Sequence, residues 1–262
     1  MQIGIDVGAT KIESVVLEEN GQEKHRSRIA CPKEYLSIIS TIKNIHHKLE
    51  KEFQKDLSIG VCHPGIHSPQ TGLVKNAPNC YWLEKKPFQS DLRKALGKEV
   101  FCENDANCFA LSEAIDGAGK HYKIVYGIIL GSGAGGGLVI DKQIVSGPNG
   151  VAGEWGHNQI PYFAAKKENF DSNNAREAEI ESFISGLGLA KRFNKIYGKN
   201  LKTNEIFELY RKHDLDAERF IDEFKLNLAM SLSGIINILD PDAFIFGGGV
   251  SNEIDFLSEI ES

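Results

Sequence analysis

Three stretches of this chain bring together residue types that handle phosphate and hydroxyl groups. Asp6-Val7-Gly8-Ala9-Thr10-Lys11 sets a carboxylate at the end of an apolar run, then a glycine, then a hydroxyl and an ammonium. Such a turn can present backbone N–H groups and Lys11 to a phosphate while Asp6 holds a hydrated Mg²⁺. A plain β-hairpin accounts equally well for the six residues taken alone. Gly131-Ser132-Gly133-Ala134-Gly135-Gly136-Gly137 satisfies the G-x-G-x-x-G dinucleotide pattern, but that pattern has to open a helix. Here Leu138-Val139-Ile140 and an Asp141-Lys142-Gln143 turn follow, which read as strand and hairpin, so a Rossmann site is discounted. Two glycine-turn hairpins, with Gly247-Gly248-Gly249 after Phe246, point instead to a nucleoside triphosphate clasped between two lobes.

Glu103-Asn104-Asp105-Ala106-Asn107 falls where an apolar strand pattern gives way to the helical pattern of Cys108, Phe109, Leu111, Ala114 and Ile115. Asp105 suits a helix N-cap. Beside the amide of Asn104, at the carboxyl edge of a sheet, it equally suits a base that takes a proton from a hydroxyl during phosphoryl transfer. Glu154-Trp155-Gly156-His157 and Glu181 add carboxylates and an imidazole, which suit a polyhydroxylated ligand because each hydroxyl both donates and accepts.

The elements that must position these residues are legible as a pattern. Gln2–Asp6, Lys11–Leu17 and Glu23–Ala30 read as an antiparallel meander with a turn at Glu19-Asn20-Gly21. Leu36, Ile39, Ile42, Ile45, Leu49 and Phe53 recur at helical spacing over Glu34–Phe53. Strands at Leu57–Cys62 and Glu99–Glu103 flank a short helix at Asp91–Leu96 ended by Gly97. A second unit repeats the strand, glycine turn, strand order from Ile124. An irregular polar stretch, Pro161–Asn174, precedes helices expected at Glu177–Tyr197, Asn204–Lys212 and Asp216–Leu239, and a last strand runs over Ala243–Phe246. Strands alternating with helices give an α/β protein of two similar lobes, expected at residues 1–119 and 120–262.

The 262 residues include 41% apolar and 25% charged residues, which fits a globular protein and excludes a disordered or collagen-like chain. Thirty Lys and Arg against 36 Asp and Glu leave a net charge of −6, which repels nucleic acid and anionic membrane surfaces. With no apolar run of about 20 residues and no secretory signal pattern, a cytoplasmic location is expected. Cys31, Cys62, Cys80, Cys102 and Cys108 are odd in number and form no C-x-x-C pair, so neither a disulfide framework nor a zinc ribbon is indicated. Most are expected to be buried thiols.

Taken in order, the Asp6–Lys11 turn, His63-Pro64-Gly65, Asn76-Ala77-Pro78-Asn79 with Trp82, Asn104-Asp105-Ala106-Asn107-Cys108, Leu130-Gly131-Ser132-Gly133, Gly153-Glu154-Trp155-Gly156-His157, Glu181 with Ile184-Ser185-Gly186, and Asp240-Pro241 through Gly249 resemble the ROK (repressor, open reading frame, kinase) family of sugar kinases. The resemblance implies a two-lobed actin-like ATPase (ribonuclease H-like) fold with a central cleft and a homodimer. It implies Mg-ATP-dependent phosphorylation of a hexose 6-hydroxyl. Asp105 would be the base. Gly65, Asn79, Asn104, Glu154, His157 and Glu181 would contact the sugar, and Asp6, Gly8, Thr10, Lys11, Gly131, Ser132, Gly133, Gly247 and Gly248 the nucleotide, with Mg²⁺ near Asp6. Fructokinase or mannofructokinase is the first expectation, with N-acetylglucosamine kinase or glucokinase as the alternative.

Two departures stand out. Family kinases carry a C-x-C-G-x-x-G-C-x-E zinc motif after the histidine, and the register ending at Glu181 reads Ser172-Asn173-Asn174-Ala175-Arg176-Glu177-Ala178-Glu179-Ile180-Glu181, with no cysteine. No protein-bound zinc is expected, since one histidine with no cysteine cannot build a tetrahedral zinc site. Pro161–Asn174, without its zinc clip, is expected to become ordered when sugar binds. The chain also ends sooner after Gly249 than is usual for the family. These departures keep open a second class, a catalytically weak sugar-binding regulator, although no helix-turn-helix precedes the strand bearing Asp6.

Overall fold

The computed structural model describes residues 1–161 and 175–254. By internal contacts the chain divides into two units, Met1–Cys108 with Ser146–Val151, and Phe109–Val145 with Ala152–Ser262. The division falls inside a helix, eleven residues before the expected 119/120 boundary, and the first unit takes back a short later segment.

In the first unit β1 (Gln2–Val7), β2 (Lys11–Leu17), β3 (Glu23–Ala30), β4 (Ser58–His63) and β7 (Val100–Asn104) form one sheet in the order β3-β2-β1-β4-β7. The first three strands are the expected antiparallel meander, and β1, β4 and β7 run parallel. Strict alternation buries Ile3, Ile5 and Val7 on one face together with Ile59, Val61 and Val100. Helix α1 (Tyr35–Phe53) and α2 (Phe88–Leu96) bury Ile38, Ile42, Leu49, Phe88 and Leu92 in the same cluster. Within α1 one expectation is overturned. Leu36 is exposed, and His46 lies buried in line with Ile38, Ile42 and Leu49, because a 3.6-residue period places 38, 42, 46 and 49 on one stripe. A two-stranded ribbon, β5 (Ile66–His67) and β6 (Val74–Lys75), and a 3₁₀ helix over Pro78–Leu83 fill the stretch that sequence pattern leaves unassigned. Trp82 is buried there.

The second unit is built on β8 (Ile124–Leu130), β9 (Ala134–Ile140), β10 (Gln143–Ile144) and β11 (Ala243–Gly247), ordered β10-β9-β8-β11 with β8 and β11 parallel. Gly135, Gly136 and Gly137 belong to β9, so the second glycine turn is only Gly131–Gly133. The reason is a packing contact. A Cβ on Gly136 would stand 2.6 Å from the Gly153 carbonyl oxygen and 2.7 Å from the buried Trp155 ring.

Helix α3 (Asp105–Ile115) leaves β7, and its Ala110 lies against Gly127 of β8, where a Cβ would come within 2.7 Å of the alanine methyl. The expected Glu177–Tyr197 helix is interrupted. A 3₁₀ turn (Ala175–Ala178) and α4 (Glu181–Ile184) precede α5 (Gly186–Tyr197). Ser185, extended at φ −80° and ψ 160°, ends one helix and caps the next by accepting from the Gly188 N–H at 3.1 Å. Helices α6 (Thr203–Arg211) and α7 (Leu215–Leu239) complete a core rich in Phe183, Phe193, Phe207, Phe220 and Phe224. α7 ends at Asp240, in the left-handed region before Pro241.

The polar stretch expected at Pro161–Asn174 lies, apart from Pro161, outside the described residues. All five cysteines are free thiols; Cys31, Cys80 and Cys102 are buried, and Cys62 and Cys108 half-buried. No described helix is long and apolar enough to cross a membrane.

Candidate active site

Because β1, β4 and β7 are parallel, their carboxyl ends share one edge of the first sheet, the edge at which open α/β sheets bind ligands. The Gly8–Thr10 turn, Pro64-Gly65 and Asn104-Asp105 all emerge there. The first turn is closed by the Gly8 N–H donating to the Lys11 carbonyl at 2.9 Å, and a Cβ on Gly8 would crowd that oxygen at 3.3 Å. Thr10 and Lys11 are exposed beside it. Asp6 is exposed too; among the described residues its one hydrogen bond comes from the Cys62 thiol at 3.3 Å. An exposed carboxylate without a cationic partner, beside open backbone, fits the oxygen-ligand preference of Mg²⁺.

At the β7–α3 junction the cap is Asn104, one residue before the expected one. Its Oδ1 accepts from the Ala106 and Asn107 N–H groups at 2.9 and 3.2 Å, and its Nδ2 donates to the Gly65 carbonyl at 3.0 Å. That carbonyl is available because Gly65 takes φ +84°, where a Cβ would lie 2.6 Å from the Lys75 oxygen. With Asn104 buried and engaged, Asp105 is relieved of capping. Its Oδ1 accepts from the Ala106 N–H at 2.9 Å, the Asn104 side chain also favours the ionised form, and the residue stays exposed. Solvent reaches this carboxyl group, but the protein around it strips hydration and raises its pKa above the usual aspartate range. The Ala106 N–H opposes that shift, and the nearby charge of Asp6 adds to it.

Glu103 and Asn107 complete the junction and were not singled out from sequence. Glu103 Oε1 accepts from the Asn104 N–H at 2.8 Å and from Asn107 Nδ2 at 3.1 Å. The i, i+3 spacing of the two asparagines was the available signal. Asn79 stands exposed on the 3₁₀ helix, two residues after Ala77, the methyl of which is 3.0 Å from the Cβ position of Gly65.

In the second unit three backbones meet at close range. Gly186 N–H donates to the Gly131 carbonyl at 2.8 Å, Leu187 N–H to Ser132 at 3.2 Å, and Val250 N–H to Leu130 at 2.8 Å. Gly248, at φ +91°, would place a Cβ 2.5 Å from the Leu130 oxygen. Only glycine permits this approach. Glu181 Oε2 accepts from the Ala134 N–H at 2.8 Å, so this carboxylate, expected to contact sugar, is tied to the second glycine turn. Ser132, Glu181, Ser185, Leu187, Gly188 and Lys191 line a shallow pocket of about 200 Å³. The Ser132 and Ser185 hydroxyls and the Lys191 ammonium form a donor set that suits phosphate, while the first three N–H groups of α5 are already engaged within the protein.

The remaining expected sugar contacts sit together on one side of this unit. His157 Nδ1 lies 3.1 Å from Glu179 Oε2, and its Nε2 lies 3.8 Å from Glu154 Oε2. Trp155 donates from its indole nitrogen to the Gly135 carbonyl at 3.0 Å. Backbone bonds from Ile160 to Ala178 and from Ile180 to Asn158, both 2.8 Å, fix the two segments to each other.

The sequence profile of the ROK family matches residues 2–262. The N-acetyl-D-glucosamine kinase of Pasteurella multocida is 36% identical over 99% of this chain and 87% of its own length, and that of Histophilus somni 37% identical with the same coverage. The crystal structure of a ROK hexokinase from Thermus thermophilus superimposes with a TM-score of 0.87 at 25% identity, covering 99% of this chain and 87% of that one. A ROK family glucokinase from Streptomyces griseus, solved with glucose and AMPPNP, gives 0.76 at 28% identity with the same coverage.

Proposed function

From the premise that the chain belongs to the ROK family, with its actin-like ATPase fold, we propose that it is an N-acetylglucosamine kinase that transfers the γ-phosphoryl group of Mg-ATP to the sugar 6-hydroxyl. That it is a sugar kinase follows from the family and its curated relatives. The choice of sugar rests on those relatives being N-acetyl-D-glucosamine kinases, which supports the alternative read from the sequence and lends fructokinase no specific support.

The observation that carries the mechanism is the exposed carboxylate of Asp105 at the carboxyl edge of β7, relieved of capping by Asn104. In the proposed step the sugar hydroxyl oxygen bonds to the γ-phosphorus, and the bond from that phosphorus to the β–γ bridging oxygen breaks. ADP departs with the bonding electron pair, and the hydroxyl proton passes to the Asp105 carboxylate. Asp6 would hold Mg²⁺, the charge of which offsets that of the phosphates. The Gly8–Lys11 and Gly131–Gly133 turns would cradle the phosphates, and Gly247-Gly248 the nucleoside. Gly65, Asn79, Glu154 and His157 would contact the sugar, Asn104 would hold the Asp105 turn in place, and Glu181 would link sugar and phosphate sites.

The test is ADP release measured by a coupled assay with N-acetylglucosamine, glucose, mannose and fructose. The highest kcat/KM is expected for N-acetylglucosamine. Preference for fructose would overturn the choice of sugar, and no ADP release with any of the four would overturn the kinase reading.

A further inference from the structure

A second cluster, at the opposite edge of the first sheet, has the chemistry of a metal site. His46 lies on the buried stripe of α1, 1% exposed, with Nε2 3.1 Å from the Leu57 carbonyl oxygen. A carbonyl can only accept, so Nε2 carries the hydrogen and Nδ1 of the neutral ring presents a bare lone pair. That Nδ1 has no hydrogen-bond partner and stands 3.3 Å from Glu50 Oε2. Two acceptors therefore face each other, the imidazole buried and the carboxylate half-buried, an arrangement that suits a cation between them.

A third ligand is in place: His47 Nδ1 lies 3.7 Å from the same Glu50 oxygen, and the three ligand atoms all lie within 4.8 Å of one another. Ligands held about 2.0–2.1 Å from a tetrahedral ion stand about 3.3–3.4 Å apart, close to the two measured edges.

We propose that His46, His47 and Glu50 bind a divalent transition-metal ion of the zinc class. Two imidazoles and one carboxylate suit such an ion rather than Mg²⁺ or Ca²⁺, which take oxygen ligands. His47 is exposed, so the fourth position is open to water. The supporting contacts are those of a held metal ligand set. The Leu57 carbonyl fixes the His46 tautomer. Lys98 Nζ at 2.8 Å and the Leu57 N–H at 3.4 Å engage Glu50 Oε1, which leaves Oε2 to the metal. The Lys98 charge is itself balanced by its ion pair with Asp56.

Leu57 directly precedes β4 and Lys98 lies two residues before β7, whereas Asp105 follows the far end of β7. Five strand residues at about 3.3 Å each separate the cluster from Asp105 by roughly 17 Å. All three ligands lie on α1, so the ion would fix the side chains of His46 and Glu50 that hold Leu57, just before β4. It is distinct from the zinc motif of the family, the cysteines of which are missing from residues 172–179.

The test uses the full chain, free of any affinity tag and stripped with a chelator, titrated with Zn²⁺ and with Co²⁺. One equivalent of Zn²⁺ is expected to bind and raise Tm, and Co²⁺ to give visible absorption of tetrahedral intensity. The exposed-residue variant His47→Ala, and Glu50→Gln, should weaken Zn²⁺ binding by at least about tenfold. His47→Ala should also abolish the Tm shift and leave ADP release at saturating sugar unchanged. Failure of the wild-type chain to bind Zn²⁺, or wild-type affinity in His47→Ala, would overturn the proposal.

Discussion

His157 Nδ1 and Glu179 Oε2 are 3.1 Å apart, an imidazole–carboxylate contact that joins the 3₁₀ turn at Trp155–His157 to the segment before α4. The adjacent backbone bonds Ile160–Ala178 and Ile180–Asn158 share that task. Glu179→Ala should therefore raise the KM for sugar by roughly three- to tenfold with kcat little changed, the pattern of lost uniform binding. Steady-state kinetics over a sugar series check it; an unchanged KM would assign the contact to the surface alone.

Asp105→Asn should lower kcat by about 10²- to 10⁴-fold, the usual contribution of a positioned general base, while calorimetry shows sugar binding retained. Near wild-type turnover would remove Asp105 from the chemistry.

The raised pKa of Asp105 fixes the sign of the pH dependence. The base works deprotonated, so kcat/KM should fall as pH drops through a value above the ordinary aspartate range. Asp6→Asn removes a like charge that favours the protonated form, so the remaining activity should lose its acid limb at lower pH. A limb that stays in place would show that Asp6 does not act on Asp105.

Gly248→Ala forces a Cβ to 2.5 Å from the Leu130 oxygen at a φ of +91°. A loss of about 1–3 kcal/mol in stability is expected, together with a higher KM for ATP and an unchanged KM for sugar. Thermal denaturation and kinetics measure the two parts separately.

Much of this was legible from local pattern. The alternation of Ile3, Ile5 and Val7 and the turn residues around Gly21 define the meander, and the glycine at Gly8 marks its first turn. What escaped depends on contacts distant in sequence. Gly135–Gly137 read as a loop until Trp155 and Gly153, which pack against Gly136, are known. Apolar residues on both sides of Ser185 sustain a helical period, so the break there is visible only in the backbone. Asn104 and Asp105 are both good caps, and the helix that starts at Asp105 directly after β7 decides for Asn104. Residue type marks His46 as polar, whereas its position in the stripe buries it.

The chain has two tryptophans, Trp82 buried in the first unit and Trp155 buried in the second. Each unit therefore carries its own intrinsic fluorophore. Variants keeping one indole apiece would report the melting of either half in isolation, so the cooperativity of unfolding can be read optically without attaching a dye. Emission from Trp155, next in sequence to Glu154, should shift when sugar is added, with Trp82 as the internal reference.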